Sequence, residues 1–146
     1  MTIELNAVSD HLLHVYRLIR RTVYDLAQSR GMTASQLMAL RYVALTPDCS
    51  MNELTRHLNV TRAAVTSIVD RLEREGLVRR QAGSDRRIFH LRLTPEGEAA
   101  ILSMRQALHG EIQRWIGTLS PEKAEALAVG LEALSGIALE GGPFRG

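Results

Sequence analysis

The sequence contains one cysteine, Cys49, in 146 residues. A single thiol excludes an internal disulfide framework and leaves too few thiolates for a cysteine-rich zinc module. Lysine is equally scarce. Lys123 stands alone, so 17 of the 18 basic side chains are arginine. Arginine meets phosphate and guanine edges bidentately, although a GC-rich genome would produce the same bias. No run is long and apolar enough to span a membrane, so no membrane partner is expected. The first 21 residues are not expected to be a signal peptide, because acids come early and no small-residue cleavage site follows. The cytoplasm is the expected compartment. There are no internal repeats and no low-complexity segments. No nucleophile–base pair, phosphate-binding glycine loop or metal spacing stands out, so neither an enzyme nor a bound cofactor is expected.

The net charge of +2 is modest, but it is unevenly placed. Residues 50–94 carry nine arginines against five acids, a net +4, and the remainder is net negative. That segment also has the most informative pattern. Two short helix patterns, 50–58 and 61–75, are separated only by Asn59 and Val60. They lead into two strand-like runs, 77–81 and 88–93, around a turn of Gly83, Ser84 and Asp85. Helix, tight turn, helix and basic ribbon is the order in which a small protein reads duplex DNA.

Local signals place the boundaries. Ser50 and Glu53 form a capping-box signature. Thr61 can cap the second of these helices and Gly76 can end it. Upstream, residues 8–29 read as one amphipathic helix, striped by Leu12, Tyr16, Ile19, Val23 and Leu26, with Gly31 as its left-handed cap. Thr33 can cap a helix that Pro47 ends. Downstream, Thr94-Pro95-Glu96 and Ser120-Pro121-Glu122 each start a helix with proline in the favoured first turn. The end of the chain, from Gly141, is expected to be flexible. The fold expected is mainly α with a small β-hairpin wing, in one domain spanning 1–146. Residues 33–94 form a winged helix-turn-helix, and helices 8–29 and 95–140 bracket it. Those leucine-rich helices are expected to build a homodimer; a monomeric helical cap is the plainer alternative.

On the second helix, Val65, Ile68, Val69 and Leu72 share one face at about 100° per residue. The opposite face centres on Ala63, Ser67, Asp70 and Arg74, with Thr66 beside it and Arg62 at its flank. Its first turns are small and hydroxylated, which permits close approach to base edges. Ala63 can pack on a thymine methyl, and Arg62, Thr66 and Ser67 can hydrogen-bond bases or phosphates. Ser50, Thr61, Arg71 and Arg74 complete the expected DNA set on the helices, and Asp85, Arg86 and Arg87 on the ribbon. Arg79, Arg80 and Arg92 add charge nearby, part of which guards the ribbon's edges. A consecutive arginine pair at a glycine turn suits a narrow minor groove. Asp85 is expected to orient one of these arginines or to cap the turn.

Two runs of residues carry a family likeness. Asp85, Arg86, Arg87, Leu91, Leu93 and Thr94 match the DRR-x-x-x-L-x-L-T wing signature of the MarR regulators, and Val69 through Val78 match the preceding V-D-R-L-E-x-x-G-L-V. The chain therefore resembles the MarR family of winged helix-turn-helix regulators over nearly its whole length. Asn59 replaces the glycine common at the interhelix turn, and Thr55 replaces a small alanine; asparagine tolerates the left-handed conformation, and threonine is small. The resemblance implies an obligate homodimer and a palindromic double-stranded operator, usually bound as a repressor. It implies that Arg87 probes the minor groove with Asp85 in support, and that a small aromatic or phenolic effector releases the DNA. Some relatives sense oxidants through cysteine, and a few sense zinc.

Cys49 has no second thiol to resolve a sulfenic acid and has Asp48 and Glu53 nearby, so it is expected to be inert. His11 and His14 could share a helix face, but a metal site needs ligands from separate helices, so none is expected. Together with Arg17, Arg21 and Tyr24, these histidines could hold a carboxylate or phenolate effector, or could pair with acids across a dimer. An architectural or non-specific DNA-binding protein without effector control is the alternative function.

Overall fold

The computed structural model describes residues 4–85 and 87–141, with side chains as far as residue 137. Arg86 and the tail beyond Gly141 lie outside the described residues. Two compact units divide the chain, Met1–Leu108 and His109–Gly146.

The first unit contains α1 (Leu5–Ser29), α2 (Ala34–Leu45), β1 (Cys49–Ser50), α3 (Met51–Leu58), α4 (Arg62–Arg74), β2 (Val78–Ala82) and β3 (Phe89–Leu93). It also holds the start of α5 (Pro95–Ile116). The winged helix-turn-helix is therefore present, and α1 begins three residues earlier than its pattern suggests. The sheet has three strands rather than two, in the order β1-β3-β2 and antiparallel throughout. Cys49 pairs with Leu91 and Ser50 with His90, so the two residues just before α3 form a short strand at the wing's root that the sequence pattern does not show.

Capping chemistry explains the boundaries. Glu53 N–H donates to Ser50 Oγ at 3.2 Å, and Ser50 N–H donates to Glu53 Oε2 at 2.6 Å, closing the expected capping box. Thr33 and Gln36 close a second box at the start of α2. Thr61 Oγ1 accepts from Ala64 N–H at 3.2 Å. Asn59 sits at φ 51°, ψ 45°, the left-handed conformation that makes the interhelix turn tight. After α4, Gly76 at φ 73° lets Leu77 N–H reach Leu72 O and Gly76 N–H reach Glu73 O, a Schellman closure. Gly97 has a different reason. It is buried in the first turn of α5, and a Cβ there would collide with the Leu77 carbonyl.

The core of this unit is where the helices meet the inner face of the sheet. Leu40, Leu54, Val65, Val69, Leu72, Val78 and Leu91 are fully buried in it. Gln36 is the one buried polar residue among the described residues, and its side-chain oxygen accepts the Thr33 N–H of the capping box. The α1 stripe meets the core only at its C-terminal end, through Val23, Leu26 and Ala27. Leu12 and Tyr16 are exposed, as are Leu5, Val8 and Leu13.

The second unit holds the end of α5 and α6 (Pro121–Gly141). Ile112 and Trp115 on α5 are half-buried, whereas on α6 Leu127, Leu131 and Leu134 are exposed. Val129 and Ile137 are 64% and 69% exposed.

Candidate nucleic-acid interface

The helix α4 is anchored by one face and presents the other. Val65, Val69 and Leu72 are buried, and Ile68 is partly buried against the same core. Arg62, Ala63, Thr66, Ser67, Asp70, Arg71 and Arg74 are exposed. A helix whose inner stripe is locked presents its outer stripe in a fixed orientation, which is what base reading needs.

Hydrogen bonds within the protein restrict what several of these groups can offer. Thr66 Oγ1–H donates to the Arg62 carbonyl at 3.0 Å. Its hydroxyl therefore faces outward as an acceptor, suited to the N4 of cytosine or the N6 of adenine. Ser50 and Thr61 each accept a backbone N–H, which leaves the hydroxyl proton free to donate to a phosphate oxygen. Arg71 Nε–H donates to Glu75 Oε1 at 3.0 Å, and its Nη2–H to Gly31 O at 3.2 Å. That guanidinium ties α4 to the turn after α1. Arg74 Nε–H reaches only its own helix, at Asp70 O, 3.4 Å away.

The wing's arginines divide into two kinds. Arg80 Nη1–H donates to Glu73 Oε2 at 2.5 Å and its Nη2–H to Asp70 Oδ1 at 2.6 Å. Arg92 is bidentate on Asp48, with Nε–H to Oδ1 and Nη2–H to Oδ2, both at 2.5 Å. The Arg92 guanidinium, by its hydrogen bond first, holds the Asp48 carboxyl below the usual carboxylate range. Burial works to lower the Arg80 pKa, but Asp70 and Glu73 more than offset it. Both arginines were expected to add charge to the ribbon, part of it guarding its edges; both are engaged by acids of the protein itself. Arg79 and Arg87 remain exposed. At the turn, Asp85 Oδ1 accepts from Arg87 N–H at 3.0 Å, and Ile88 N–H donates to Asp85 O at 3.0 Å. Asp85 therefore caps the turn, the second of its two expected roles. Arg86, expected in the same constellation, lies outside the described residues.

Cys49 is buried at 1% exposure. Burial, reinforced by Glu53 and Asp48, pushes its thiol up to about 11. The residues expected at an effector site are all exposed on α1. Arg17, Arg21 and Tyr24 come together with Arg20 around a shallow depression, and His11 and His14 do not take part in it. Tyr24 Oη accepts from Gln28 at 2.6 Å, and Arg21 lies 3.9 Å from Asp25. Among the described residues, no group of three or more His, Cys, Asp or Glu is placed to hold a metal.

Sequence reasoning did not find the two acid–arginine clamps. Asp70 and Glu73, two acids on a helix ten and seven residues before Arg80, were an available signal. Asp48 and Arg92 are 44 residues apart and gave none.

A family model described as MarR family matches residues 30–88. The HTH-type transcriptional regulator YwoH of Bacillus subtilis is 31% identical over 98 residues, covering 64% of this chain and 72% of that protein. The HTH-type transcriptional repressor MdtR of the same organism is 27% identical over 113 residues, 75% of this chain and 71% of MdtR. Across six of the curated relatives that it matches, the chain spans 60% to 72% of their length. Among solved structures, the transcriptional regulator Tm0710 of Thermotoga maritima superposes with a TM-score of 0.83 at 24% identity, covering 90% of this chain and 94% of that one. A variant of Staphylococcus aureus MepR bound to an oligodeoxyribonucleotide superposes at 0.72 with 20% identity, covering 89% and 97%. These superpositions establish the same fold.

Proposed function

The chain belongs to the MarR family of transcriptional regulators, and from that premise we propose that it is a homodimeric repressor that binds a palindromic operator and leaves it when a small aromatic or phenolic effector binds. The observation that carries this reading is the outer stripe of α4, small and hydroxylated, beside a wing whose Arg79 and Arg87 are exposed. Ala63, Thr66 and Ser67 meet base edges in the major groove, and Arg62 meets a base or a phosphate. Ser50 and Thr61 donate to phosphates. Arg87 enters the minor groove at the wing, where the negative potential is deepest. Arg71 makes a smaller contribution than its position suggests, because its guanidinium is held by Glu75 and Gly31.

Dimerisation is supported by apolar surface that is left exposed among the described residues. Leu5, Val8, Leu12 and Leu13 on α1, and Leu131, Leu134 and Ile137 on α6, are exposed. Exposed apolar helix faces of this kind mark interfaces, and two-fold pairing of readers matches a palindrome. In this reading residues 1–146 act as one domain, with 33–94 as the reader and 8–29 and 95–140 as the dimerisation helices. The effector acts near α1, where Arg17, Arg21 and Tyr24, with His11 and His14 on the same helix, supply cationic and aromatic groups for a phenolate or carboxylate. Its binding changes the separation of the two recognition helices, so the operator spacing no longer fits.

The experiment is selection of duplexes from a random library by the full-length protein, followed by titration of selected and scrambled duplexes. A palindrome bound about 10³-fold or more above the scrambled duplex is expected. A ratio near one would make the protein an architectural DNA binder instead. Sedimentation equilibrium at micromolar concentration showing only a monomer would remove the dimer.

A further inference from the structure

Asp48 commits all four of its polar atoms or groups to one wing strand. Its carboxylate takes the Arg92 guanidinium at 2.5 Å on each oxygen. Its backbone N–H donates to Leu91 O at 3.1 Å, and its carbonyl lies 2.8 Å from His90 Nδ1. It does so at φ 64°, in the left-handed region that favours glycine and that asparagine and aspartate enter more readily than other residues. Asp48 also stands two residues before Ser50, the cap of α3. One residue thus joins the root of the helix-turn-helix to the strand that returns from the wing tip.

The wing needs such a joint. Its third strand pairs only Cys49 and Ser50 with Leu91 and His90, so the hairpin beyond them stands clear of β1. Arg79 and Arg92 are direct cross-strand partners, and like charges opposite one another push strands apart. Asp48 offsets that repulsion at its source. On the other strand, Arg80 is held by Asp70 and Glu73 of α4. One strand of the wing is therefore braced to α4 and the other to the loop that leads into β1 and α3.

We infer that Asp48 is a positioning residue for DNA recognition, fixing the wing through Arg92 so that Arg87 is presented to DNA in a set direction. The inference rests on the reading that Arg87 meets DNA. Holding a contact group in its bound geometry before binding lowers the ordering cost of association. The competing account is simple charge: an acid near phosphates repels them. The two accounts differ in sign. Asp48→Asn keeps a side chain that tolerates the left-handed backbone and removes only the charge. If Asp48 merely repels phosphate, that variant binds more tightly. If it positions the wing, the variant binds more weakly.

The probe is a duplex selected in vitro by the full-length protein, titrated with parent, Asp48→Asn, Arg87→Ala and the double variant. Asp48→Asn is expected to weaken binding about fivefold, in line with loss of one partly exposed ion pair and the order it imposes. In the Arg87→Ala background the same change is expected to have almost no effect, because the group being positioned is gone. Hydrogen exchange without DNA supplies an independent arm, with the Gly83 and Ile88 amides opening about tenfold faster in Asp48→Asn. Arg92→Gln should reproduce both results, which covers the case in which Asp48→Asn folds poorly. Equal or tighter binding by Asp48→Asn, multiplicative losses in the double variant, or unchanged exchange would each overturn the inference. If Arg87→Ala alone leaves binding unaltered, the reading of the wing tip fails, and the exchange arm still decides whether Asp48 holds the hairpin.

Discussion

Arg80 on the wing holds Asp70 on the outer stripe of the recognition helix, at 2.6 Å from Nη2 to Oδ1. A second bond from the same guanidinium reaches Glu73 at 2.5 Å. An acid on a surface that approaches phosphates is unfavourable, and this pairing neutralises it within the protein. Arg80→Met is therefore expected to cost about 1 kcal/mol of stability, the upper end for partly exposed pairs because two acids lose one partner. Urea denaturation measures that cost. The salt dependence of DNA binding should stay near the parent slope, since Arg80 neutralises protein acids rather than phosphates. A slope reduced by a full unit would place Arg80 on the DNA.

Cys49 is the only thiol and is buried with its pKa raised to about 11. At neutral pH roughly one molecule in ten thousand carries a thiolate there. Iodoacetamide should leave the native protein unmodified for hours and label it rapidly in denaturant. Cys49→Ser should retain DNA affinity and any effector response while folded, but lose about 1–3 kcal/mol of stability through a buried hydroxyl. A parent protein that released DNA on mild peroxide treatment, with Cys49→Ser unresponsive, would restore a redox role.

Stability should also report the cap of α3. The Glu53 carboxyl is held below its ordinary range, first by the Ser50 backbone N–H and then by the Ser50 side chain. Folding thus favours the ionised form. The resulting stabilisation is fully present above the unfolded-state pKa and is lost as pH falls through the lowered folded value. Glu53→Gln keeps the capping geometry without the charge. It should melt below the parent at neutral pH, and the two melting curves should converge once the pH drops beneath the ordinary carboxylate range. A gap that persists in acid would assign the effect to geometry instead of charge.

What the sequence made legible was local. The Ser50–Glu53 box, the left-handed Asn59 and the buried stripe of α4 each follow from residues within one or two turns. The strand β1 was not legible, because two residues carry no alternation and their pairing partner lies some 40 residues away. Arg80 and Arg92 looked like free wing charge because composition counts guanidinium groups without showing which acids face them. The α1 stripe was visible, but Leu12 and Tyr16 are exposed, since periodicity names a face and not what covers it. Within the expected DNA set, Thr66 and Arg71 already make bonds inside the protein that no sequence pattern shows.

The wing and the recognition helix should fail in different ways. Arg87 is exposed at a turn capped by Asp85, so its expected contribution to binding is electrostatic and shape-dependent. Arg87→Ala should weaken binding by about 1–3 kcal/mol and reduce the salt slope by about 1, with base preference in the major-groove half-site nearly unchanged. Thr66 offers only lone pairs outward, because its proton is given to the Arg62 carbonyl. Thr66→Ala should relax preference at one position, where a cytosine or adenine amino group is read, and leave the salt slope alone. Ser67→Ala should act similarly at a neighbouring position, but Ser67 can present donor or acceptor, so its parent preference should be broader. The measurement is titration of each variant against single-base operator changes at several salt concentrations. Unchanged affinity for Arg87→Ala at every salt concentration would remove the wing from the interface. If neither Thr66→Ala nor Ser67→Ala altered base preference, the outer stripe of α4 would not be the reading face, whatever the family.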